Sequence, residues 1–228
     1  MNVAVLIPAR SDGGRRDALL TWTTGRLRAE HPDHTIAVGH HEIDEGPFNR
    51  SAAVNRAAAQ AGPADVYVVA DGDSFVGARQ LDAAVQRASD TGRITFAYDR
   101  FNYLNRAMSD QVMAGYQGDW HPGVEWALHG TCSSMVCVPA DLFDQVGGFD
   151  EGFVGWGMED IGFSLACQAL GGGMERIEGA VWHLHHPMSP ENHQQSPLYQ
   201  ANVARMRRYE AADYDPDAMR ALLADLRA

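Results

Sequence analysis

Short runs of apolar and β-branched residues alternate with helix-forming segments along residues 1–98. The runs predict strands over residues 2–7, 34–38, 65–70 and 93–98. The segments between them predict helices over residues 15–30, 50–61 and 78–89. Alternating strands and helices of this length are typical of a parallel, doubly wound α/β sheet. A ligand site is expected at the carboxyl ends of such strands.

The pattern is weaker in the second half of the chain. Residues 99–130 are polar and aromatic without a clear period, and they predict a loop. Further strands are predicted over residues 131–138 and 178–183, and further helices over residues 141–146 and 161–170. The last segment, residues 198–228, predicts two amphipathic helices. Because no repeat or linker interrupts the pattern, we expect a single domain over residues 1–228.

Composition and charge narrow the possible functions. Hydrophobic residues make up 45% of the chain, enough for a packed core, and the net charge is −12. That charge repels a phosphate backbone, and no basic patch interleaved with aromatic residues occurs, so nucleic acid is not an expected partner. A nucleotide remains possible as a ligand if a divalent cation mediates its binding.

Cysteine usage and hydropathy indicate a compartment. The three cysteines show no CxxC spacing, so neither a disulfide framework nor a zinc ribbon is expected. No run approaches the roughly 18 apolar residues of a membrane span, and no basic region precedes the first apolar run. We therefore expect a cytoplasmic protein with no signal peptide and no transmembrane segment.

Two carboxylates follow the most clearly predicted strand. Asp71 and Asp73 are separated by Gly72, so their side chains can converge on one cation. Oxygen ligands of this kind suit Mg²⁺ or Mn²⁺. The structural alternative is an Asp-Gly turn that closes the strand.

A second pair of carboxylates follows a glycine-rich segment. Gly155 and Gly157 flank Trp156, and Glu159 and Asp160 fall in the first turn of a predicted helix. There the helix dipole favours negative charge, so helix capping beside a core tryptophan is the structural alternative. An aromatic face with two adjacent carboxylates also suits sugar binding, with one carboxylate as general base.

Three of the ten histidines lie close together at the end of the predicted strand 178–183. They are His183, His185 and His186, and neutral imidazole is a common metal ligand. Alternation along a strand places His183 and His185 on one face and His186 on the other. The pattern leaves open whether His185 or His186 joins His183 in a site, or whether these side chains merely bond to backbone. Zinc is not indicated, since the HExxH or cysteine partners of zinc sites are missing.

In this order, these segments resemble the GT-A glycosyltransferases that use nucleotide-sugar donors. The similarity is greatest to the β-1,4-galactosyltransferases and the polypeptide N-acetylgalactosaminyltransferases, and it covers about residues 3–187. The matching segments are FNR at residues 48–50, DVYVVADGDS at 65–74, VGGFDEGFVGWGMEDIGF at 146–163 and WH at 182–183. They resemble that family's FNR segment, its DxD motif, its GGF turn with the GWGxED signature, and its late metal-binding histidine.

The resemblance implies an architecture and a set of roles. The fold would be α/β, a Rossmann-like, mostly parallel sheet flanked by helices, with a nucleotide-binding half (1–98), an acceptor half (99–190) and C-terminal helices (198–228). The donor-binding residues would be Pro8, Ala9, Arg10, Phe48, Arg50 and Asp71. The ligands of Mn²⁺ or Mg²⁺ would be Asp71, Asp73 and His183. The acceptor-binding residues would be Trp156 and Glu159, with Asp160 as general base.

The implied activity is transfer of a sugar from a UDP-sugar to an acceptor hydroxyl, with inversion at the anomeric carbon. Retention stays open, because the polypeptide-modifying relatives retain configuration. Leu128 and His129 stand where relatives carry an aromatic pair that shapes donor choice, so galactose is not implied.

Two other functions remain as alternatives. A nucleotidyltransferase that makes sugar nucleotides could use residues 13–16 (GGRR) as a triphosphate loop, although the chain contains no lysine. A non-catalytic carbohydrate-binding protein could keep Trp156 without turnover.

Overall fold

The computed structural model describes residues 1–188 and 192–227, and this part of the chain forms ten strands and eight α-helices. The strands are β1 (Val3–Ala9), β2 (Thr35–His40), β3 (Val66–Val69), β4 (Ser74–Phe75), β5 (Ile94–Phe96), β6 (Arg100–Leu104), β7 (Val124–His129), β8 (Val136–Pro139), β9 (Met174–Arg176) and β10 (Ala180–His183). The helices are α1 (Arg15–Glu30), α2 (Arg50–Ala61), α3 (Ala78–Thr91), α4 (Arg106–Met113), α5 (Ala140–Val146), α6 (Glu159–Gly171), α7 (Pro197–Glu210) and α8 (Pro216–Arg227).

Six strands form the first sheet, in the order β2-β1-β3-β8-β5-β9. β8 runs antiparallel to both of its neighbours, while the other neighbouring strands pair parallel. Every residue of β1 and β3 is buried, because helices cover both faces of the sheet and apolar side chains fill the space between. The predicted mostly parallel α/β sheet is therefore confirmed.

Helix α2 shows why the helices of the first half could be predicted from the sequence. The side chain of Asn49 caps the helix by accepting a hydrogen bond from the backbone N–H of Ala52 at 2.9 Å, and Gly62, with φ +72°, ends it. A Cβ at Gly39 of β2 would collide with the carbonyl oxygen of Ala53, so the glycine lets α2 lie directly on the sheet. Local signals and packing agree here, and the predicted helix 50–61 has the observed bounds.

The loop predicted over residues 99–130 is wrong. This segment contains β6, α4 and β7, and it supplies two strands of a second sheet with the order β4-β10-β6-β7. β7 is an edge strand, and five of its six residues are exposed. A strand without a buried face has no alternation of polar and apolar residues, which is why its sequence looked irregular.

The predicted strand boundaries also differ from the observed ones, most informatively at β1 and β8. β1 continues through Pro8 and Ala9, which pair with Gly39 and His40 of β2. β8 begins at Val136 rather than at residue 131, because Ser134 and Met135 have left-handed backbones, with φ of +57° and +45°. β8 is therefore preceded by an irregular loop.

The two predicted C-terminal helices are confirmed as α7 and α8. On α7, Arg205 and Tyr209 both bind the carboxylate of Asp150, at 2.6 and 2.9 Å, which ties the helix to the segment before α6. Among the described helices, none combines the length and apolar character needed to cross a bilayer.

Candidate functional site

The chain between β3 and β4 brings one acidic residue next to the histidine segment. Asp73 immediately precedes β4, and β4 pairs antiparallel with β10, so that Ser74 lies opposite His183. The backbone N–H of Leu184 donates to the carbonyl oxygen of Asp73 at 2.8 Å. The DxD segment and the histidine segment are thus adjacent in space although more than a hundred residues apart in sequence.

Three side chains from these segments form one group. The carboxylate of Asp73 lies 3.6 Å from Nε2 of His183 and 3.1 Å from Nε2 of His186. One ligand atom from each residue falls within 4.8 Å of the others, close enough to share a metal ion. The predicted alternation of the histidines is wrong beyond His183, because β10 ends there and the chain turns His186, not His185, toward Asp73.

The pKa values of the three side chains in this group are shifted in different directions. Burial would raise the pKa of the Asp73 carboxyl, but the neighbouring imidazoles and the hydrogen bond from His186 outweigh burial and lower it. Burial also opposes protonation of His186, but the contact with Asp73 raises its pKa overall. For His183 burial dominates and lowers the pKa, which keeps its imidazole neutral and able to coordinate a metal.

A second buried group lies beside the first and is centred on Arg50. Its Nη1 donates to Asp160 Oδ1 at 2.6 Å, while its Nε and Nη2 donate to Asp71 Oδ1 at 3.0 and 2.7 Å. The carboxylate of Glu159 approaches the same guanidinium to 4.0 Å. One cation therefore serves three carboxylates, and the Arg50 side chain is only 11% exposed.

This arrangement changes the acidity of the carboxylates near the start of α6. Burial raises the pKa of Asp160 well above the usual aspartate value, and the negative charges of Glu159 and Asp71 add to the effect, against the opposing charge of Arg50. Burial raises the pKa of Glu159 as well. A carboxylate with a raised pKa is a stronger base than an ordinary surface aspartate.

The loop before α6 is held from the C-terminal side. The amide of Asn202 on α7 accepts from the backbone N–H of Val154 at 3.2 Å and donates to the carbonyl oxygens of Val154 and Gly157, both at 3.0 Å. Trp156 stacks on Tyr199 with 5.2 Å between ring centroids, and it is 41% exposed. Helix α7 therefore holds both the backbone of this loop, through Asn202, and the partly exposed Trp156 side chain, through Tyr199.

The remaining predicted donor residues lie at the carboxyl ends of the first strands. Pro8 and Ala9 are the last residues of β1, and Arg10 follows them. Phe48 contacts His41 edge-on at 6.0 Å, and its carbonyl oxygen accepts from Gly155 N–H at 2.9 Å.

Two features of the site escaped sequence reasoning in part. His186 belonged to the histidine run but was placed on the wrong face. Arg50 was predicted only as a donor-binding residue, whereas the structure places it between the acidic residues of both motifs. Asn202 and Tyr199 carried no signal in the sequence that pointed to the tryptophan loop.

Replacing Arg50 is expected to destabilise the fold. Arg50→Met leaves the buried Glu159 and the partly buried Asp71 and Asp160 without a cation, which costs up to about 3–5 kcal/mol of unfolding free energy. Arg50→Lys restores the charge but cannot donate to Asp71 and Asp160 in a fixed fork, so it should recover only part of the loss. Thermal and denaturant unfolding measure both variants, and an unchanged stability of Arg50→Met would contradict the pairing.

Comparisons with known proteins agree with this architecture. A family model described as the N-terminal domain of galactosyltransferase matches residues 121–188, the stretch that contains GWGMED and the histidine run. A comparison with curated proteins gives no significant match.

The solved structures that are similar to this chain include the following three. The catalytic domain of Drosophila β1,4-galactosyltransferase 7, in complex with xylobiose, is 17% identical with a TM-score of 0.55, covering 89% of this chain and 79% of that chain. S. aureus TarS is 13% identical with a TM-score of 0.55, covering 100% of this chain and 43% of that chain. GalNAc-T7 with UDP, GalNAc and Mn²⁺ is 12% identical with a TM-score of 0.55, covering 100% of this chain and 54% of that chain.

At these identities the likeness shows the fold. The protein has the GT-A fold that the sequence resemblance implied, and it spans about half the length of the TarS and GalNAc-T7 chains.

Proposed function

We propose that this protein is a metal-dependent glycosyltransferase that moves a sugar from a UDP-sugar to an acceptor hydroxyl. The observation that carries the proposal is that Arg50 binds both Asp160 and Asp71, and that Asp71 lies two residues from Asp73 of the Asp73, His183 and His186 group. Support comes from the similar structures, since one is described as a galactosyltransferase and another contains UDP and Mn²⁺.

The donor set fits a divalent transition metal. Asp73 offers a carboxylate oxygen, and the histidines offer two imidazole nitrogens within 4.8 Å. Two imidazoles would favour Mn²⁺ over Mg²⁺, which prefers oxygen ligands, and diphosphate oxygens would supply the further ligands. When bound, the ion would supply positive charge that stabilises the leaving diphosphate. Asp71, whose carboxylate is bound by Arg50, would contact the ribose of the nucleotide donor instead of the metal.

The protein's own residues then carry the proton transfer. Asp160 accepts the proton of the acceptor hydroxyl as the acceptor oxygen bonds to the anomeric carbon and the bond to the diphosphate oxygen breaks. Attack from the side opposite the leaving group inverts the anomeric configuration. Arg50 holds Asp160 in place, Glu159 accepts hydrogen bonds from sugar hydroxyls, and the exposed face of Trp156 packs on the acceptor.

The raised pKa of Asp160 predicts the acid limb of the pH profile. A general base works only when ionised, so kcat should fall with decreasing pH at a value above the ~3.9 of an unperturbed aspartate. The profile is measured at saturating Mn²⁺ and UDP-sugar, so that protonation of the metal ligands does not limit turnover. A kcat that stays constant down to about pH 4 would contradict the role of Asp160.

The nucleotidyltransferase alternative loses support at the start of α1. The carboxylate of Asp12 accepts hydrogen bonds from the backbone N–H groups of Gly14 and Arg16, at 2.8 and 3.2 Å. These are the groups that would hold a triphosphate, and an acidic side chain already occupies them.

Titration of UDP into the protein tests the proposal. Binding is expected with Mn²⁺ and is expected to disappear when EDTA replaces the metal, with GDP and CDP binding more weakly. Equal binding of UDP with and without metal would overturn the metal-mediated donor site. Preference for GDP or CDP would overturn the assignment of the donor.

A further inference from the structure

Within the described part of the chain, the segment that carries His186 lacks the strand pairing that fixes His183. β10 ends at His183, which pairs with Ser74 on one side and with Tyr103 on the other. Beyond it, Leu184 makes one more backbone hydrogen bond, to Asp73 at 2.8 Å. His186 is therefore presented by a stretch of irregular chain, and its position depends on what holds that stretch.

Side chains from two other elements bind the backbone of His185. Its N–H donates to the hydroxyl of Ser109 at 2.8 Å, and its carbonyl oxygen accepts from Nε of Arg15 at 3.1 Å. Ser109 lies on α4 and is fully buried, whereas Arg15 is the first residue of α1. The backbone N–H and the backbone carbonyl of His185 therefore both have hydrogen-bond partners, although His185 is not part of a strand.

Arg15 is also hydrogen-bonded to the residue that follows Ser109 on α4. Nη1 of Arg15 donates to the carboxylate of Asp110 at 2.6 Å, and Asp110 directly follows Ser109 on α4. We call Arg15, Ser109 and Asp110 the His185 clamp. It joins the start of α1, the middle of α4 and the histidine segment through three hydrogen bonds.

We propose that the His185 clamp positions His186 as a metal ligand, with Ser109 and Arg15 as positioning residues. The inference rests on the proposed function, because it assumes that Asp73, His183 and His186 hold a metal. Because a peptide unit is planar, fixing the carbonyl of His185 also fixes the nitrogen and Cα of His186. The imidazole of His186 is then held next to Asp73 before any metal binds. Loss of a residue that orients a metal ligand typically weakens metal affinity by roughly 10–100-fold.

Binding of Mn²⁺ alone, without nucleotide, tests the clamp. Ser109→Ala is expected to weaken Mn²⁺ binding by about 10-fold or more, measured by titration calorimetry or by the electron paramagnetic resonance signal of free Mn²⁺. Ser109→Thr keeps the hydroxyl group, so this variant should keep most of the wild-type affinity for Mn²⁺. Gln111→Ala on the exposed face of the same helix is the control and should leave it unchanged.

A double-mutant cycle separates positioning from general loosening. In a His186→Ala background, Ser109→Ala should cause no further loss of Mn²⁺ affinity, because the ligand that it positions is gone. Equal losses in both backgrounds would overturn the inference. If Ser109→Ala does not fold, Arg15→Lys replaces it, since lysine keeps the charge beside Asp110 but cannot reproduce the Nε contact.

Failure of the proposed function looks different. If wild-type protein and His186→Ala bind Mn²⁺ equally, the metal site itself is wrongly assigned. If His186→Ala weakens Mn²⁺ binding and Ser109→Ala does not, the site stands and the clamp is wrong.

Discussion

Replacing Asp160 with asparagine should lower kcat by about 10³-fold, within the 10²–10⁴ range of general base catalysis. Asparagine has nearly the same size, and its amide oxygen can still accept the hydrogen bond from Arg50 Nη1, which the carboxylate accepts at 2.6 Å. The variant therefore keeps the local geometry and loses the carboxylate that is proposed to take up the acceptor proton.

Two controls make this result specific. Binding of UDP in the presence of Mn²⁺ should be unchanged in Asp160→Asn, because Asp160 lies outside the group of Asp73, His183 and His186 that is proposed to bind the metal. Asp144→Asn makes the same substitution at an exposed position of α5 and should retain full kcat. Normal turnover by Asp160→Asn would rule out Asp160 as the base.

The second large effect is expected at Asp73. Asp73→Asn removes the one carboxylate that both His183 and His186 approach, and with it the negative charge that attracts a cation. Mn²⁺ affinity should fall by at least about 100-fold, more than the loss expected for a residue that only supports a ligand. Metal-dependent UDP binding should fall with it.

The matched control for Asp73 is an aspartate that pairs with a histidine on the protein surface. Asp119 lies 2.8 Å from Nδ1 of His121, and both side chains are exposed. Asp119→Asn should leave Mn²⁺ binding intact, and thermal unfolding should show that both variants are folded. Undiminished Mn²⁺ binding by Asp73→Asn would place the metal elsewhere.

The first half of the fold could be predicted because its signals are local. Strands such as β1 and β3 are buried on both faces and read as continuous apolar runs, and α2 carries both a cap and a stop. β7 could not be recognised, because its exposed side chains follow no period. β4 has two residues, too few for any pattern.

The same division applies to the candidate site. Asp73, His183 and Asp160 stand in short motifs, so their residue types and order were visible in the sequence. The participation of His186 depends on the residue at which β10 ends, and a strand that was one or two residues longer would have turned it away. The position of Arg50 between Asp71 and Asp160 joins motifs that are far apart in sequence, which only the fold brings together.

Turnover of UDP-sugars tests the central claim most directly. Purified protein is incubated with Mn²⁺ and a panel of UDP-hexoses and UDP-N-acetylhexosamines, and released UDP is measured with and without a panel of sugar acceptors. The account predicts that UDP is released from at least one donor, that EDTA stops the release, and that Asp160→Asn slows it. Binding of UDP without release from any donor would contradict the proposed catalysis and favour a carbohydrate-binding protein.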